Sequence, residues 1–530
     1  MHIALVAAMG GDLVKSTEHI GISCIAAYLR ENGYKVSIME ITELESKKTD
    51  EFLNNDYDLV GFSTTCVNLK FALDLAKMVK EKNNSVYTMC GGHMATFSGK
   101  EILEKWDFID FIITGEGEIT FLELVQALDN NKPLEPIKGL LFRNEQGEVI
   151  TNESRELIED LDMLPFPARD QFEEHNENLQ YIRICSSRGC YGNCGFCSSF
   201  VGREQKGKRW RGRSPKNVVD EIELLSKKYN HHTFDFVDST FEDPGKKGKE
   251  RISQIAQEIL SRNLEIYYNC CFRAENWTDD DREVLSLLIE SGLEKVNIGF
   301  ESGNDRGLEI LNKNARMKHN WRVIKLLADF PDIYITFGFI MFHPYSCMDD
   351  LKDNSKFLYG TGIGQVIRHY FWQLEVYPGT LMEEKLIRDK LLLKNYCVED
   401  GMYLYRFESP EMNHIVERTR EMLKVQSVWD FEIFDIIIHT FITRLRRKYK
   451  NDEVITEIEE FASYVKGVRA EMAKFNYDFF AKLISTEDYN VEEEADRLNK
   501  YILKNMKTIE NEQFKLGHNL LKQGIKLINR

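Results

Sequence analysis

Between residues 1 and 130, short apolar runs alternate with stretches of 3.6-residue periodicity. Residues 2–8 (HIALVAA) form the first run, and residues 19–33 follow with a helical period that stops at Asn32–Gly33. Residues 35–41, 57–65, 85–92 and 108–118 read as four more strands, and 72–82 and 119–128 as helices. This alternation predicts an α/β fold, a doubly wound parallel sheet with helices on both faces. Residues 131–180 read as a linker, with a hairpin over 139–150 turning at Gln146–Gly147 and a proline-bearing link over 161–172. A second βα series fills residues 181–385. Its six strands are 181–187, 233–239, 266–275, 295–302, 333–342 and 370–378, with helices such as 215–229 and 281–292, which suggests a partial barrel. From 386 to 530 glycine thins out and helical periodicity dominates, so a helical domain is expected, either capping the barrel or acting as a structural extension.

Ligands of open parallel sheets bind beyond the carboxyl ends of the strands. In the first sheet those ends carry Gly10, Gly11, Ser63, Thr64, Thr65, Gly91, Gly92, His93, Gly115, Glu116 and Gly117. Such small residues allow a bulky planar ligand to approach the backbone, and plain turn chemistry accounts for part of the glycine. In the barrel, chemistry gathers at the same ends. There the loop after the first strand reads RGCYGNCGFC, with Cys190, Cys194 and Cys197 spaced C-x3-C-x2-C. Three thiolates this close suit an iron–sulfur cube with one iron left open. Zinc sites use two separated pairs of ligands, and no second pair follows. Cys185 lies five residues upstream, and Cys270 and Cys271 are far downstream.

Composition narrows the setting. The chain has 530 residues, 43% hydrophobic and 29% charged, as expected of several ordinary globular domains. A net charge of −17 disfavours a nonspecific nucleic-acid surface. The local basic run Lys206–Arg213 is either a solvated loop or a landing place for an anion. No apolar run approaches the roughly 18 residues of a membrane span. Eleven cysteines are too sparse for a disulfide scaffold, and the chain opens without an export signal, so a cytoplasmic location is expected.

The cysteine motif, with Phe196 as the aromatic before Cys197, resembles the cluster motif of radical S-adenosylmethionine (SAM) enzymes. The segments LVGFSTT, CGGHMAT and ITGEGEITF resemble the cobalamin-binding domain that precedes many such barrels. The resemblance covers about residues 1–400. It implies a (β/α)6 core, a [4Fe-4S] cluster, SAM and cobalamin, and a flavodoxin or ferredoxin as reductant. It also implies that Asp238, with Ser239 and Thr240, ends the second strand near the SAM amino group, and that Arg273 in CFRAE faces the SAM carboxylate. Glu301 and Ser302, in GFESGN, match the segment that contacts the ribose and methionine end. His343 stands where relatives carry a Gly-x-Pro segment, which implies a place near the adenine or substrate, with a packed turn histidine as the alternative, and Tyr377–Thr380 resembles a PGT segment at the barrel mouth. One departure concerns cobalt. The Asp-x-His-x-x-Gly loop of methionine-synthase-like domains is absent, so His19 reads as a helix-start residue and no histidine is expected to ligate the metal.

The implied reaction is methylation of a poorly activated carbon or phosphorus. One SAM methylates cob(I)alamin, and a second gives the 5′-deoxyadenosyl radical that activates the substrate. A rearrangement or cyclisation with the same cofactors remains open. A tRNA methylthiotransferase would carry three further cysteines in its first domain, where Cys24, Cys66 and Cys90 are widely spread. A non-catalytic iron–sulfur carrier would not need such a barrel. Small molecules, lipids and peptides are all open as substrates.

Overall fold

Strand β1 (His2–Ala8) divides its side chains between two cores. Ala4, Val6 and Ala8 enter one apolar cluster, and Ile3, Leu5 and Ala7 enter another. A period of two forces this split, and only a sheet covered on both faces can bury both halves. The computed structural model describes residues 1–8, 18–175, 180–200, 206–245, 248–450, 452–486, 489–523 and 525. These fold as two units. The first holds residues 1–271, 375–388 and 394–404, and the second holds 272–374, 389–393 and 405–530.

In the first unit, β1, β2 (Lys35–Ile41), β3 (Leu59–Ser63), β4 (Tyr87–Gly91) and β5 (Phe111–Ile113) form a parallel sheet in the order β2-β1-β3-β4-β5. Helices α1 (Ile20–Glu31) and α5 (Gly117–Asp129) supply one apolar layer; α3 (Leu69–Lys82) and α4 (His93–Lys105) supply the other, flanked by α2 (Lys47–Leu53). The expected hairpin forms, but it is not a detached linker. Strands β6 (Leu140–Arg143) and β7 (Val149–Thr151) extend the sheet antiparallel from β5, because Leu140 and Phe142 join the α1/α5 core. After α6 (Asp170–His175), the second parallel series begins with β8 (Ile182–Ile184), β11 (Thr233–Phe236) and β12 (Tyr267–Phe272). Between β8 and β11 a two-residue ladder joins β9 (Ser187–Arg188) to β10 (Arg211–Gly212), followed by α7 (Pro215–Tyr229); α8 (Glu250–Ser261) follows β11.

A buried charge chain crosses this unit. Arg169 donates to Glu18 at 2.9 Å and to Glu221, on α7, at 2.6 Å. Arg213 reaches the other oxygen of Glu221 at 2.5 Å, and Glu18 also accepts the backbone N–H of Arg183 on β8 at 2.7 Å. Next to Glu18, His19 caps α1 with its N–H on Gln171 Oε1 at 2.9 Å. Burial, then Arg183, lowers its imidazole to about 4, so the ring is neutral. His19 occupies the N-cap position of α1, the helix-start position read from the sequence.

In the second unit, β13 (Leu293–Glu301) pairs in parallel with β14 (Tyr334–Phe339), with a register shift between Gly299 and Glu301. Helices α9 (Arg282–Glu290), α10 (Asp305–Ile310), α11 (Met317–Ala328) and α12 (Met348–Gly360) alternate with them. The sixth expected strand shrinks to a single parallel bridge, Phe342 to Gln373, after a 3-10 turn at Ile367–Tyr370. Beyond it, α13 (Leu381–Arg388) belongs to the first unit, and the helical region consists of α14 (Glu411–Leu423), α15 (Gln426–Lys448), α16 (Ile455–Ser485) and α17 (Val491–Lys522). It thus begins later than residue 386, since 394–404 return to the first unit, where Val398 joins the α3/α4 core. Asp435 on α15 accepts from Tyr334 at 2.8 Å and from Arg469 on α16 at 2.7 Å; Arg444 forks onto Glu294 at 2.8 and 3.1 Å. Both anchors lie at the starts of β13 and β14, away from the ends where barrel chemistry gathers. Among the described residues no helix is long and apolar enough to cross a membrane.

Removing one partner of a buried charge chain strands the others. Arg169→Met should therefore destabilise the first unit by about 3–5 kcal/mol, read as a lowered urea midpoint. A variant as stable as the parent would show that the chain contributes nothing.

Candidate functional site

The three cysteines lie on the loop that leaves β9. Gly189, just before Cys190, has φ +79°, and a Cβ there would sit 1.7 Å from the Arg209 carbonyl, so only glycine admits this approach. The Gly192 N–H points at Cys190 Sγ at 3.3 Å, and Cys197 N–H donates to the Cys194 carbonyl at 3.3 Å. Cys194 is buried, while Cys190, Phe196 and Cys197 are part-exposed. Among the described residues no three His, Cys, Asp or Glu side chains converge as one metal ion requires. A cube makes a different demand, since each cysteine takes its own iron. Cys185 stands apart. Its thiol donates to the Ser187 carbonyl at 3.3 Å, and burial pushes it up to about 12, which keeps it protonated.

Asp238 proves to be the root of this loop. One carboxylate oxygen accepts the N–H groups of Ser186 and Ser187 at 2.8 and 2.9 Å, and the other is bonded by the Ser186 hydroxyl. At 2% exposure it ties the end of β11 to the start of the cluster loop, and it is not free to greet an ammonium group. Burial raises its carboxyl, opposed chiefly by Arg251. Ser239 is exposed, and Thr240 is buried.

The basic run is likewise structural in part. Arg211 and Arg213 are buried: Arg211 grips Glu116 at 2.9 and 3.0 Å, and Arg213 takes Glu221. Lys206, Lys208 and Arg209 are exposed. Arg188, the residue before Gly189, pairs with Glu118 at 2.6 Å. The first turn of α5 is therefore stitched to the base of the cluster loop by two arginine–carboxylate pairs. Sequence reading missed both, because ion pairs between residues 70 and 95 positions apart leave no local pattern.

At the carboxyl ends of β3 to β5 the expected residues divide. Gly91 is open, since an added Cβ would meet nothing closer than 3.9 Å. His93 and Gly115 are exposed, and Ser63 and Thr65 are part-exposed. Together they form an accessible ledge of mostly small residues at the strand ends. The others serve the chain. Thr64 is buried with its hydroxyl on the Gly91 carbonyl at 2.9 Å. Gly92, at φ +95°, is demanded by the Thr64 carbonyl 2.8 Å from its missing Cβ. Gly117 packs on Ile25, and Glu116 is the partner of Arg211. Gly10 and Gly11 lie outside the described residues.

The second unit holds the remaining candidates. Arg273 Nε donates to Glu275 Oε1 at 2.9 Å, and its Nη2 bonds the same oxygen. Its fork is already occupied, while Glu275 Oε2 is buried without a hydrogen-bond partner among the described residues. Glu301 has φ +64° and folds back over Gly299 and Gly338, where Lys313 meets it at 3.2 Å. Gly299 has no room for a Cβ because Glu301 Oε1 would be 2.4 Å away. Ser302 is buried and bonded to Asn354 at 3.2 Å, so it holds the loop and presents no free hydroxyl. His343 is buried in a turn, its Nδ1 accepting the Tyr345 N–H at 3.2 Å. This is a packed turn histidine.

Comparison with known proteins finds two matched regions. Residues 6–125 match the B12 binding domain, and residues 184–358 match the radical SAM superfamily. An uncharacterized methyltransferase of Pyrococcus horikoshii is 28% identical over 447 residues, covering 81% of this chain and 94% of that protein. An anaerobic magnesium-protoporphyrin IX monomethyl ester cyclase of Rubrivivax gelatinosus is 28% identical over 334 residues, covering 60% of this chain and 58% of the cyclase. In fold, the chain is similar over its whole length to OxsB, a cobalamin-dependent SAM radical enzyme solved with aqua-cobalamin and SAM, with TM-score 0.69, 18% identity and 82% of that chain covered. The chain belongs to the radical SAM enzymes that carry a B12-binding domain ahead of the barrel, whose cofactors are a [4Fe-4S] cluster, SAM and cobalamin.

Proposed function

We propose that this enzyme methylates an unactivated carbon or phosphorus centre. The observation that carries the reading is the joining, within one folded unit, of the three-cysteine loop and the open ledge at Gly91, through Arg188–Glu118 and Arg211–Glu116. When bound, the cluster, SAM and cobalamin supply the electron, the radical and the methyl group. The chain's own task is placement. Cys190, Cys194 and Cys197 hold three irons and leave the fourth for SAM. Asp238 and Gly189 fix the loop's root, and Glu301, braced by Lys313, offers its carboxylate at the end of β13. Fixing reactants in line removes much of the entropic barrier. A flavodoxin or ferredoxin in a reducing cytoplasm would supply electrons to the cluster, and the substrate would be a small molecule, a lipid or a peptide. A cyclisation or rearrangement is the second reading, supported by the likeness to the cyclase.

Product counting separates the two. With a substrate in hand, methyl transfer yields one S-adenosylhomocysteine and one 5′-deoxyadenosine per product; a product with 5′-deoxyadenosine alone would sink the methyltransferase reading. For the cluster, alanine at Cys190, Cys194 or Cys197 should abolish the visible iron–sulfur absorbance and SAM cleavage, while Cys185→Ala keeps both. An empty site in Cys185→Ala with a full one in Cys197→Ala would reverse the ligand assignment. For the corrinoid, Gly91→Leu fills the ledge without forcing the backbone. It should cut retained cobalt after reconstitution at least tenfold; undiminished retention would move the corrin elsewhere.

A further inference from the structure

After the bridge at Gln373, the chain leaves the second unit and returns to the first as residues 375–388 and 394–404. Its contacts there fall on the two loops that the proposed function needs. Tyr377 hydroxyl bonds the Glu375 carboxylate and accepts the thiol of Cys66, 311 positions away, at 3.7 Å. Cys66 sits in the turn after β3, and its neighbour Val67 is 78% exposed at the tip. That turn is itself rigid: Asn68 Oδ1 accepts the Thr65 N–H at 2.6 Å, and Asn68 Nδ2 donates to the Ser63 carbonyl at 2.9 Å. Five residues on from Tyr377, the Met382 N–H donates to the carbonyl of Gly195, inside the cluster loop, at 2.8 Å. Thr380 Oγ1 closes the intervening turn on the Tyr377 carbonyl at 2.7 Å.

The return is held from behind. Gly401 lies so close to Cys66 that a Cβ would sit 2.8 Å from its carbonyl oxygen. Tyr396 bonds Ser98, in the kink of α4, at 2.9 Å, and Lys105 pairs with Glu399. Tyr403 N–H donates to Val376 at 2.7 Å, so the two pieces brace each other. Burial, then Glu375, raises the Tyr377 phenol well above its ordinary value, so its proton stays available to the carboxylate.

We infer that Tyr377, with Glu375 and Met382, is a positioning element that fixes the distance between the β3 turn of the B12-binding sheet and the cluster loop. The five-residue span from Tyr377 to Met382 thus bridges two loops that lie more than a hundred residues apart along the chain. A radical made at one centre and quenched from another needs that separation held within a fraction of an ångström. Tyr377 touches neither reacting group; it acts through Cys66.

This inference rests on the proposed function for its purpose, but its first test does not need cobalamin. Hydrogen exchange on the protein as isolated should be several-fold faster in Tyr377→Phe at both residues 64–68 and residues 189–197, with β1 and β5 unchanged. Met382→Pro, tolerated in a helix's first turn, should loosen the same two segments from the other end. Acceleration at one loop only, or at neither, in both variants overturns the inference. In the reconstituted holoenzyme, the dipolar coupling between cob(II)alamin and the reduced cluster should broaden in Tyr377→Phe at unchanged iron and cobalt content. A coupling as sharp as the parent's would also overturn it. Failure of the parent to retain corrinoid would strike the proposed function alone, leaving the exchange result to decide this one.

Discussion

Arg169, buried between Glu18 and Glu221, is the constraint from which the first unit is built. Burying such charges gains little net stability, because desolvation opposes the attraction. The pairs do link separate elements: Glu18 stands at the start of α1, Glu221 on α7, and Arg183 on β8. The end of β8 leads into the cluster loop, and that loop inherits its placement from the charge chain.

Several polar groups that the sequence offered as ligand contacts are engaged with other parts of the chain. Asp238, Ser302, Glu116 and the arginines of the basic run are of this kind. The type of residue was right for recognition of an ammonium or a carboxylate, and the chain uses the same chemistry on itself. A buried carboxylate that accepts two backbone N–H groups and a hydroxyl is saturated, whatever its distance from a cofactor. What remains accessible at the strand ends is mostly small, with Gly91 and Gly115 beside Ser63, Thr65 and His93.

The alternation of strands and helices was legible because period two and period 3.6 are local properties. So was the cysteine loop, whose spacing is local too. The hairpin's fate was not, since joining β5 depends on Leu140 and Phe142 finding the α1/α5 core. The sixth strand looked like one because 370–378 is apolar, yet Gln373 makes its one parallel bridge to Phe342, and Val376 pairs antiparallel with Tyr403 instead. Lys313 gave no signal at all. Its role follows from Glu301 folding back at φ +64°, and a left-handed glutamate is invisible until the backbone is seen.

The return of residues 375–404 also sets a timetable. Chains emerge from the ribosome from the amino end, at roughly 5–20 residues per second, and domains fold as they appear. When residue 271 has emerged, every cysteine of the cluster loop and every strand of the first sheet is present, but the piece that braces Cys66 and Gly195 is still unmade. Nearly half of the second unit, residues 272–374 and 389–393, must be synthesised before the first can be finished. A nascent chain thus passes through an interval in which its cofactor loops are complete in sequence and unbraced in space. Insertion of a cluster or a corrinoid during that interval meets looser loops than the finished enzyme presents, and closing the brace afterwards would slow their loss.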